Sequence, residues 1–325
     1  MKEDYLDSIL VTGANGFIGS SLILELLARR FKVSTLSLND THIKNSKVKN
    51  YSYDDLRVSN NKKQPSPLKN IDVVIHLAGR AHIVHEKSND GESEFKKSNV
   101  DLTINLAQQA FQQGVKRFIF ISSAKVNGEF TTGDQKFFAN DPPNPFDFYA
   151  KSKFEAEKAL IKISKMKKMD IVIIRPPLVY GPGVKANFLT LVSWVNKGLP
   201  LPFGSIQNKR SLVYIENLID LIIKSINHPA AKNQIFLVSD DQDISIKDLS
   251  KKISSALGSS GIIFPMPAQI LSIIFGLVGK KELANRLIDS FRVDMTKTKQ
   301  LLNWAPPFTL DQGIMKTIKS YLSRT

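Results

Sequence analysis

The sequence predicts an α/β fold: a doubly wound parallel sheet with a smaller C-terminal lobe interleaved with it. Short apolar runs alternate with helical patterns, a glycine-rich turn joins the first run to the first helix, and prolines interrupt the alternation in the second half. Alternating strands and helices form a parallel sheet that helices cover on both faces. The 325 residues are enough for one large unit of this kind with a smaller lobe.

A glycine-rich turn follows the first predicted strand, an apolar run over 8–11. It reads Thr12-Gly13-Ala14-Asn15-Gly16-Phe17-Ile18-Gly19, and apolar residues then recur at helical spacing, at Leu22, Ile23, Leu26 and Leu27. Glycines between a strand and a helix let a pyrophosphate approach the amides at the start of the helix. No Lys-Ser or Lys-Thr pair follows, which excludes a Walker loop. We therefore predict a Rossmann-type dinucleotide site at this turn.

Five further apolar runs are predicted to be strands, with helical patterns between most of them. They cover 32–38, 71–77, 117–122, 170–175 and 234–238. Prolines break up regular structure beyond residue 175, at Pro176, Pro177, Pro182, Pro200 and Pro202. We expect an NAD(P)-binding Rossmann domain over 1–175, to which a strand near 234–239 returns, and a substrate lobe that is mainly 176–325.

Composition limits the chemistry of the chain. The absence of cysteine excludes disulfides, thiolate nucleophiles, iron–sulfur clusters and thiolate zinc sites, so electron transfer would need a bound cofactor. No metal site is predicted. The N-terminal residues do not form the pattern of a secretory signal, and we expect a cytoplasmic location.

The net charge of +15 comes mostly from lysines spread along the chain. Lysine clusters over 44–49 and 162–168 lack interleaved aromatic residues, so no nucleic-acid partner is predicted. The apolar stretch over 262–278 is interrupted by prolines and too short to span a membrane. It favours a buried or dimer-facing helix, with a weak peripheral membrane contact, flanked by Lys280 and Lys281, as the alternative.

The end of the second predicted strand bears on the choice of cofactor. Ser37 stands where NAD-preferring proteins carry an acidic residue, so NADP would also be accepted unless Asp40 takes that role. The predicted cofactor is therefore NAD or NADP. Asp55 and Leu56, which follow the predicted strand over 51–53, suit a contact with adenine.

Three residues form a candidate catalytic group. Tyr149 and Lys153 are four residues apart, on one face of a predicted helix. The lysine charge is expected to lower the pKa of the phenol. Ser123 ends an apolar strand, where parallel sheets bind ligands, and can hydrogen-bond a reacting oxygen.

These motifs together resemble the extended short-chain dehydrogenase/reductases of the NAD-dependent epimerase/dehydratase family, which act on nucleotide sugars. Further matching segments are His76-Leu77-Ala78-Gly79, Asn99-Val100 and Arg175-Pro176-Pro177-Leu178-Val179-Tyr180-Gly181-Pro182-Gly183. The resemblance implies that Tyr149 is the acid/base, that Lys153 is its partner, that Ser123 donates a hydrogen bond, and that Asn187 and Arg210 hold a UDP-sugar. The cofactor-binding residues that it implies are Gly13, Asn15, Gly16, Phe17, Ile18, Gly19, Ser37, Asp55, Leu56, Leu77, Ala78, Gly79, Asn99, Tyr149, Lys153 and Pro176. It also implies a homodimer.

Departures from the family pattern narrow the reaction. Family dehydratases carry Asp-Glu where this chain has Ala124 and Lys125, which disfavours dehydration. The remaining predictions are a 4-epimerase of a UDP-hexose or UDP-N-acetylhexosamine, ranked first; a 4-ketoreductase of a UDP-4-keto-6-deoxy-N-acetylhexosamine; and a non-catalytic NAD(P)-binding regulator. The chain resembles a subgroup of bacterial surface-polysaccharide (O-antigen) synthesis. Asn127 stands where many 4-epimerases have tyrosine, and Leu178 stands where some have a substrate-facing asparagine, so the family pattern does not fix the sugar that this chain recognises.

Overall fold

A parallel sheet forms the centre of the computed structural model, which describes residues 8–38, 45–59, 66–80, 91–166, 169–259, 261–277, 279, 285 and 287–324. The described strands are β1 (Ser8–Thr12), β2 (Lys32–Ser37), β3 (Val48–Ser52), β4 (Val73–His76), β5 (Arg117–Ile121), β6 (Asp170–Arg175), β7 (Leu178–Tyr180), β8 (Arg210–Tyr214), β9 (Gln234–Leu237) and β10 (Asp243–Ile244). Seven of these form the main sheet, in the order β3-β2-β1-β4-β5-β6-β9, and all of its pairings are parallel.

Helices connect these strands. They are α1 (Phe17–Ala28), α2 (Tyr53–Ser59), α3 (Gly91–Phe95), α4 (Leu102–Gln112), α5 (Phe148–Met166), α6 (Ala186–Asn196), α7 (Ile215–Asn227), α8 (Ile246–Leu257), α9 (Ala268–Leu277), α10 (Thr296–Leu302) and α11 (Leu310–Leu322). A π-helical segment, Lys96–Asp101, joins α3 to α4. With helices on both faces of a parallel sheet, the predicted Rossmann-type doubly wound fold is confirmed.

The two faces of the sheet take alternate residues of each strand. On β1, Ile9 and Val11 pack in the cluster that contains residues of α1 and α7, whereas Leu10 packs in the cluster that contains residues of α4 and α5. All three side chains are fully buried. The period of two places neighbouring side chains on opposite faces, and each such burial stabilises the fold by about 1.5–3 kcal/mol.

A smaller sheet of β10, β8 and β7 lies beyond residue 175. β7 runs parallel to β8, while β10 runs antiparallel to it. The chain returns to the main sheet as β9, where Gln234 lies opposite Val172 of β6. A residue range from the second half therefore completes the main sheet, and the division of the chain at 175 stays a prediction.

The apolar stretch over 262–278 contains α9, which begins one residue after Pro267. Within this helix Leu271 is buried, but Ile273 is 62% exposed and Leu277 is 84% exposed. The prediction of a buried helix is therefore wrong for most of its described side chains. No helix in the described ranges is long and apolar enough to cross a membrane. Lys280 and Lys281 lie outside the described residues.

Candidate active site

The turn between β1 and α1 requires glycine at two positions. Gly13 has a φ of +71°, and a Cβ there would lie 2.7 Å from the Ala78 amide nitrogen. A Cβ at Gly19 would overlap the Gly13 carbonyl oxygen. Gly16 precedes α1, and no side chain of the described residues caps that helix. The turn therefore packs against the residues that follow β4 and presents the N-terminus of α1 to an anion.

The neighbouring predicted cofactor residues lie along the same edge. Asn15 is exposed on the turn, whereas Phe17 and Ile18 are partly buried against the core. The Leu77 amide donates to the Thr12 carbonyl oxygen at 3.3 Å. The structure thus brings residues 77–79 and the glycine turn together.

The predicted adenosine side of the site starts at the end of β2. Ser37 is the last residue of this strand and is 8% exposed. The Asp55 carboxylate accepts hydrogen bonds from the Ser52 amide at 2.7 Å and from its hydroxyl at 3.0 Å. The Leu56 side chain packs in the core. Asp40 lies outside the described residues.

Lys153 lies on α5, and its side chain is buried. Its Nζ donates to the Ile121 carbonyl oxygen at 3.0 Å and lies 4.7 Å from the centre of the Phe120 ring. A Cβ at Gly79 would lie 3.1 Å from this Nζ and 3.0 Å from Asn99 Oδ1. Glycine at position 79 therefore keeps open the space beside the lysine ammonium.

Tyr149 lies one turn before Lys153 on α5 and meets Ser123 from the loop after β5. The Ser123 side chain lies close enough to the Tyr149 hydroxyl to lower the pKa of that phenol. The Ala124 amide donates to the Pro176 carbonyl oxygen at 2.9 Å, which fixes the serine loop against the end of β6. The structure therefore assembles all three predicted catalytic residues, from β5 and α5, at the carboxyl edge of the sheet.

Burial opposes ionisation of two of the predicted catalytic side chains, Tyr149 and Lys153. Burial raises the pKa of Tyr149 to about 12, the charge of Asp147 raises it too, and the hydrogen bond from Ser123 lowers it. Burial also lowers the pKa of Lys153 to about 8, against the opposing charge of Glu157. The expected lowering of the phenol pKa by Lys153 is not found: Ser123 is the group that lowers this pKa, and burial outweighs it.

Two observations fit a dinucleotide such as NAD at this edge. At Gly13 and Gly19 the turn has no room for side chains, which lets a pyrophosphate approach its backbone amides. Gly79 leaves space beside the ammonium of Lys153. The residues present therefore fit the cofactor that the resemblance implies.

An ion pair occupies the position of the dehydratase acid. Lys125 Nζ lies 2.5 Å from Asp147 Oδ2, and both side chains are more than one third exposed. The other oxygen of Asp147 accepts the Ala150 amide at 2.7 Å, near the start of α5. The group at position 125 is thus a paired cation beside Tyr149, which cannot protonate a leaving hydroxyl as a carboxylic acid does.

A buried network behind the site was not predicted from the sequence. Arg175 contacts Glu157 through two nitrogens, at 2.9 and 2.5 Å, and donates to Asn127 Oδ1 at 2.9 Å. Asn127 in turn donates to the Phe138 carbonyl oxygen at 2.8 Å. Asn127 is therefore buried, and both ends of its side-chain amide bond other groups of the protein. The position of Asn127 in the segment that follows Ser123 was the sequence signal that could have indicated this network.

The predicted substrate residues lie in the second half of the chain. Asn187 is exposed in the first turn of α6. Arg210 begins β8, donates to the Asp289 carbonyl oxygen at 2.8 Å and lies 5.8 Å from the Phe291 ring centre. Leu178 is 45% exposed on β7. A role of Asn187 and Arg210 in holding a nucleotide stays a prediction.

Comparisons with known proteins place this fold among nucleotide-sugar enzymes. A UDP-glucose 4-epimerase of Vibrio cholerae is 43% identical, over 97% of this chain and 95% of that protein. An Escherichia coli O157:H7 protein, N-acetyl-alpha-D-glucosaminyl-diphospho-ditrans,octacis-undecaprenol 4-epimerase, is 25% identical over 96% of this chain and 95% of its own length.

A solved structure shows the same fold. The UDP-glucose 4-epimerase of Thermotoga maritima, crystallised with UDP-glucose, superposes with a TM-score of 0.78 at 21% identity, and the match covers 98% of this chain and 99% of that one. The model of the NAD dependent epimerase/dehydratase family matches residues 9–239. This range contains the glycine turn and Ser123, Tyr149 and Lys153. The chain therefore belongs to the NAD dependent epimerase/dehydratase family and is an NAD-dependent enzyme.

Proposed function

We propose that the protein is a nucleotide-sugar 4-epimerase that inverts C4 of a UDP-hexose or UDP-N-acetylhexosamine through a 4-keto intermediate. The observation that carries the proposal is the meeting of Ser123, Tyr149 and Lys153 beside the glycine turn. The similarity to the V. cholerae UDP-glucose 4-epimerase, over nearly the full length of both chains, supports the same reaction.

The side chains divide the chemistry among them. When bound, NAD supplies a reversible hydride acceptor for C4 and, in its oxidised form, a positive charge that favours the phenolate. Tyr149 accepts the proton of the 4-hydroxyl as the C4 hydride leaves, which gives the ketone, and returns the proton when hydride comes back on the opposite face. Ser123 hydrogen-bonds the reacting oxygen. The ammonium of Lys153, which donates to the Ile121 carbonyl oxygen, would hold and orient the cofactor ribose.

The Lys125–Asp147 ion pair supports epimerisation over dehydration. Loss of water from a 4-keto sugar needs an acid for the leaving hydroxyl and a base for the neighbouring carbon. Positions 124 and 125 offer a methyl group and a paired ammonium instead. The 4-keto sugar then has one outcome inside the site, the return of hydride to C4.

The experiment follows two substrates with purified protein. UDP-glucose or UDP-N-acetylglucosamine, with no added cofactor, should give the C4 epimer by proton NMR. A UDP-4-keto-6-deoxy sugar with NADH or NADPH tests the reductase alternative, which consumes reduced cofactor stoichiometrically. Tyr149→Phe should abolish epimerisation while NAD stays bound. Consumption of reduced cofactor without epimerisation would favour the reductase, and no reaction in either arm would favour a non-catalytic regulator.

The substrate residues are part of the same proposal. Asn187 and Arg210 would hold the nucleotide, the latter through paired hydrogen bonds to the diphosphate. Arg210→Lys keeps the positive charge but loses the planar guanidinium that can donate two parallel hydrogen bonds. The KM for the UDP-sugar should therefore rise by about tenfold with little change in kcat. An unchanged KM would remove Arg210 from the proposal.

Location and partners complete the proposal. We include a homodimer, a cytoplasmic location and a weak contact with an anionic membrane surface through α9. The exposed apolar face of α9 supports the membrane contact, as does the relative named for a polyprenol-linked sugar.

A further inference from the structure

We propose that His76 is a positioning residue whose neutral imidazole ties the glycine turn to the helix that carries Tyr149 and Lys153. The inference rests on the proposed function and deepens it, because His76 acts through other residues and not on the reacting atoms. His76 is the last residue of β4, at the carboxyl edge of the sheet, and its side chain is fully buried.

Two threonines from different elements hold the ring. Thr12 Oγ1 lies 2.6 Å from Nδ1, and Thr103 Oγ1 lies 2.8 Å from Nε2. Thr12 ends β1 directly before the glycine turn, and its Oγ1 also accepts the Ala78 amide at 3.2 Å. Thr103 belongs to the first turn of α4. The imidazole therefore bridges the floor of the cofactor site and a helix packed on the sheet.

The direction of these hydrogen bonds fixes the tautomer. The Thr103 hydroxyl donates its one proton to the Asn99 carbonyl oxygen at 2.7 Å, since a carbonyl only accepts. Nε2 of His76 must then donate to Thr103, and Nδ1 must accept from Thr12. The bonds run in one direction, from the Ala78 amide through Thr12, His76 and Thr103 to Asn99.

Asn99 passes the connection to the catalytic helix. Its Nδ2 donates to Ser152 Oγ at 3.0 Å, and the Ser152 hydroxyl donates to the Tyr149 carbonyl oxygen at 2.8 Å. Asn99 lies in the π-helical segment, a departure from α-helical geometry that is frequent at functional sites. Lys153 directly follows Ser152. The chain of hydrogen bonds thus ends between the two catalytic residues.

The surroundings keep the ring uncharged. Phe118 and Phe120 lie 5.7 and 5.8 Å from it, ring centre to ring centre. Burial lowers the pKa of His76 to about 3, and the charge of Lys153 lowers it too. A neutral ring presents one donor and one acceptor, which the two threonines require. A second proton on Nδ1 would face the proton of the Thr12 hydroxyl.

The test compares two substitutions in the whole chain. NAD binding is measured by titration without sugar, and kcat is measured with saturating NAD. His76→Gln keeps one donor and one acceptor without a charge, whereas His76→Leu keeps only apolar volume. His76→Leu should weaken NAD binding and lower kcat by about tenfold each, because the Thr12 hydroxyl loses its acceptor and the Thr103 oxygen loses its donor. The KM for the UDP-sugar should stay at the wild-type value. His76→Gln should recover most of both losses.

Two threonine variants serve as a matched pair. Thr103→Val breaks the same chain of hydrogen bonds and should change NAD affinity and kcat in the direction of His76→Leu. Thr298→Val removes another buried hydroxyl, which donates to the Leu237 carbonyl oxygen at 2.6 Å, and should leave both at the wild-type value. Circular dichroism and thermal melting establish that each variant is folded at the assay temperature.

Several results would overturn the proposal. A folded His76→Leu or Thr103→Val protein with wild-type NAD affinity and kcat would do so, as would a His76→Gln protein as impaired as His76→Leu. In ¹⁵N-histidine NMR, a ring protonated on Nδ1 near neutral pH would also contradict it. NAD binding is measured without sugar, so a wild-type protein that binds NAD but epimerises nothing contradicts the proposed function alone.

Discussion

At the scale of single residues, Lys153 places a positive charge in the candidate site, and its burial disfavours that charge. Lys153 is 4% exposed, and burial lowers its pKa to about 8. The Ile121 carbonyl oxygen, the face of Phe120 and the charge of Glu157 favour the ammonium. The pKa therefore stays above neutral, and the lysine remains mostly charged, as its proposed role toward a cofactor ribose requires.

This pKa predicts how stability depends on pH. Between the folded pKa of about 8 and the ordinary value of 10.5, the unfolded chain binds more protons at Lys153 than the folded chain does. The free energy of unfolding should therefore rise with pH in this window, by about 2 kcal/mol from about pH 8 to about pH 10. Chemical denaturation of wild type and Lys153→Met measures the contribution as their difference. A difference that is flat or falls with pH would contradict it.

The residue at the end of β2 should set the choice between NAD and NADP. Ser37→Asp places a carboxylate where it accepts the ribose hydroxyls and repels a 2′-phosphate. We expect NADP affinity to fall by at least about tenfold while NAD affinity holds or improves. Titration with each cofactor measures this, and Ser37→Ala, which adds no charge, is the control. Equal losses for both cofactors would show that position 37 does not face the ribose.

At the scale of elements, a buried ion pair fixes α5, the helix that carries Tyr149 and Lys153, to the sheet. Glu157 lies one turn after Lys153 on α5, and Arg175 ends β6 directly before the proline-rich segment. Their side chains are 1% and 2% exposed. Removing one partner leaves a buried charge uncompensated, which is far more costly than the pair itself is stabilising.

Glu157→Ala should therefore lower the free energy of unfolding by about 3–5 kcal/mol. The matched control is Glu25→Ala, which breaks the exposed pair with Arg29 and should cost less than about 1 kcal/mol. Urea denaturation of both variants and wild type makes the comparison. Similar losses in the two variants would mean that Arg175 finds other partners once the carboxylate is gone.

The elements that sequence predicts well are those whose signals are local. Strand-length apolar runs, the glycine spacing from Gly13 to Gly19 and the four-residue step from Tyr149 to Lys153 each depend on neighbours along the chain. The doubly wound fold follows from their order. The structure adds that Gly19 is required because of Gly13, a contact that the spacing alone does not explain.

Contacts between polar side chains that lie far apart in the sequence could not be predicted from such local signals. Thr12 and His76 are 64 residues apart, and Glu157 and Arg175 come from different elements. Asn127 was interpreted from its place in a motif, but its side-chain amide accepts a hydrogen bond from Arg175 and donates one to the Phe138 carbonyl oxygen. Periodicity reports which face of an element is apolar; it does not report which buried polar groups meet, since that depends on three-dimensional packing.

At the scale of the whole molecule, the net charge of +15 and one apolar helix suggest a surface partner. On α9, Ile273 and Leu277 are one helical turn apart and largely exposed. A cationic protein with an exposed apolar helix is attracted to anionic lipid by its charge and held by apolar burial, which gives weak, reversible contact.

We therefore expect wild-type protein to float with vesicles that contain anionic lipid and not with neutral ones. Ile273→Glu combined with Leu277→Glu should lower the vesicle-bound fraction by about tenfold or more, because two buried apolar side chains become charged. Leu24→Glu, on the exposed face of α1, is the control for added charge and should bind as wild type does. Light scattering of the same proteins separates membrane contact from dimerisation. A dimeric wild type that does not bind vesicles, together with a monomeric α9 variant, would contradict the membrane contact. In that case the apolar face of α9 would be covered by a second copy of the chain and not by lipid.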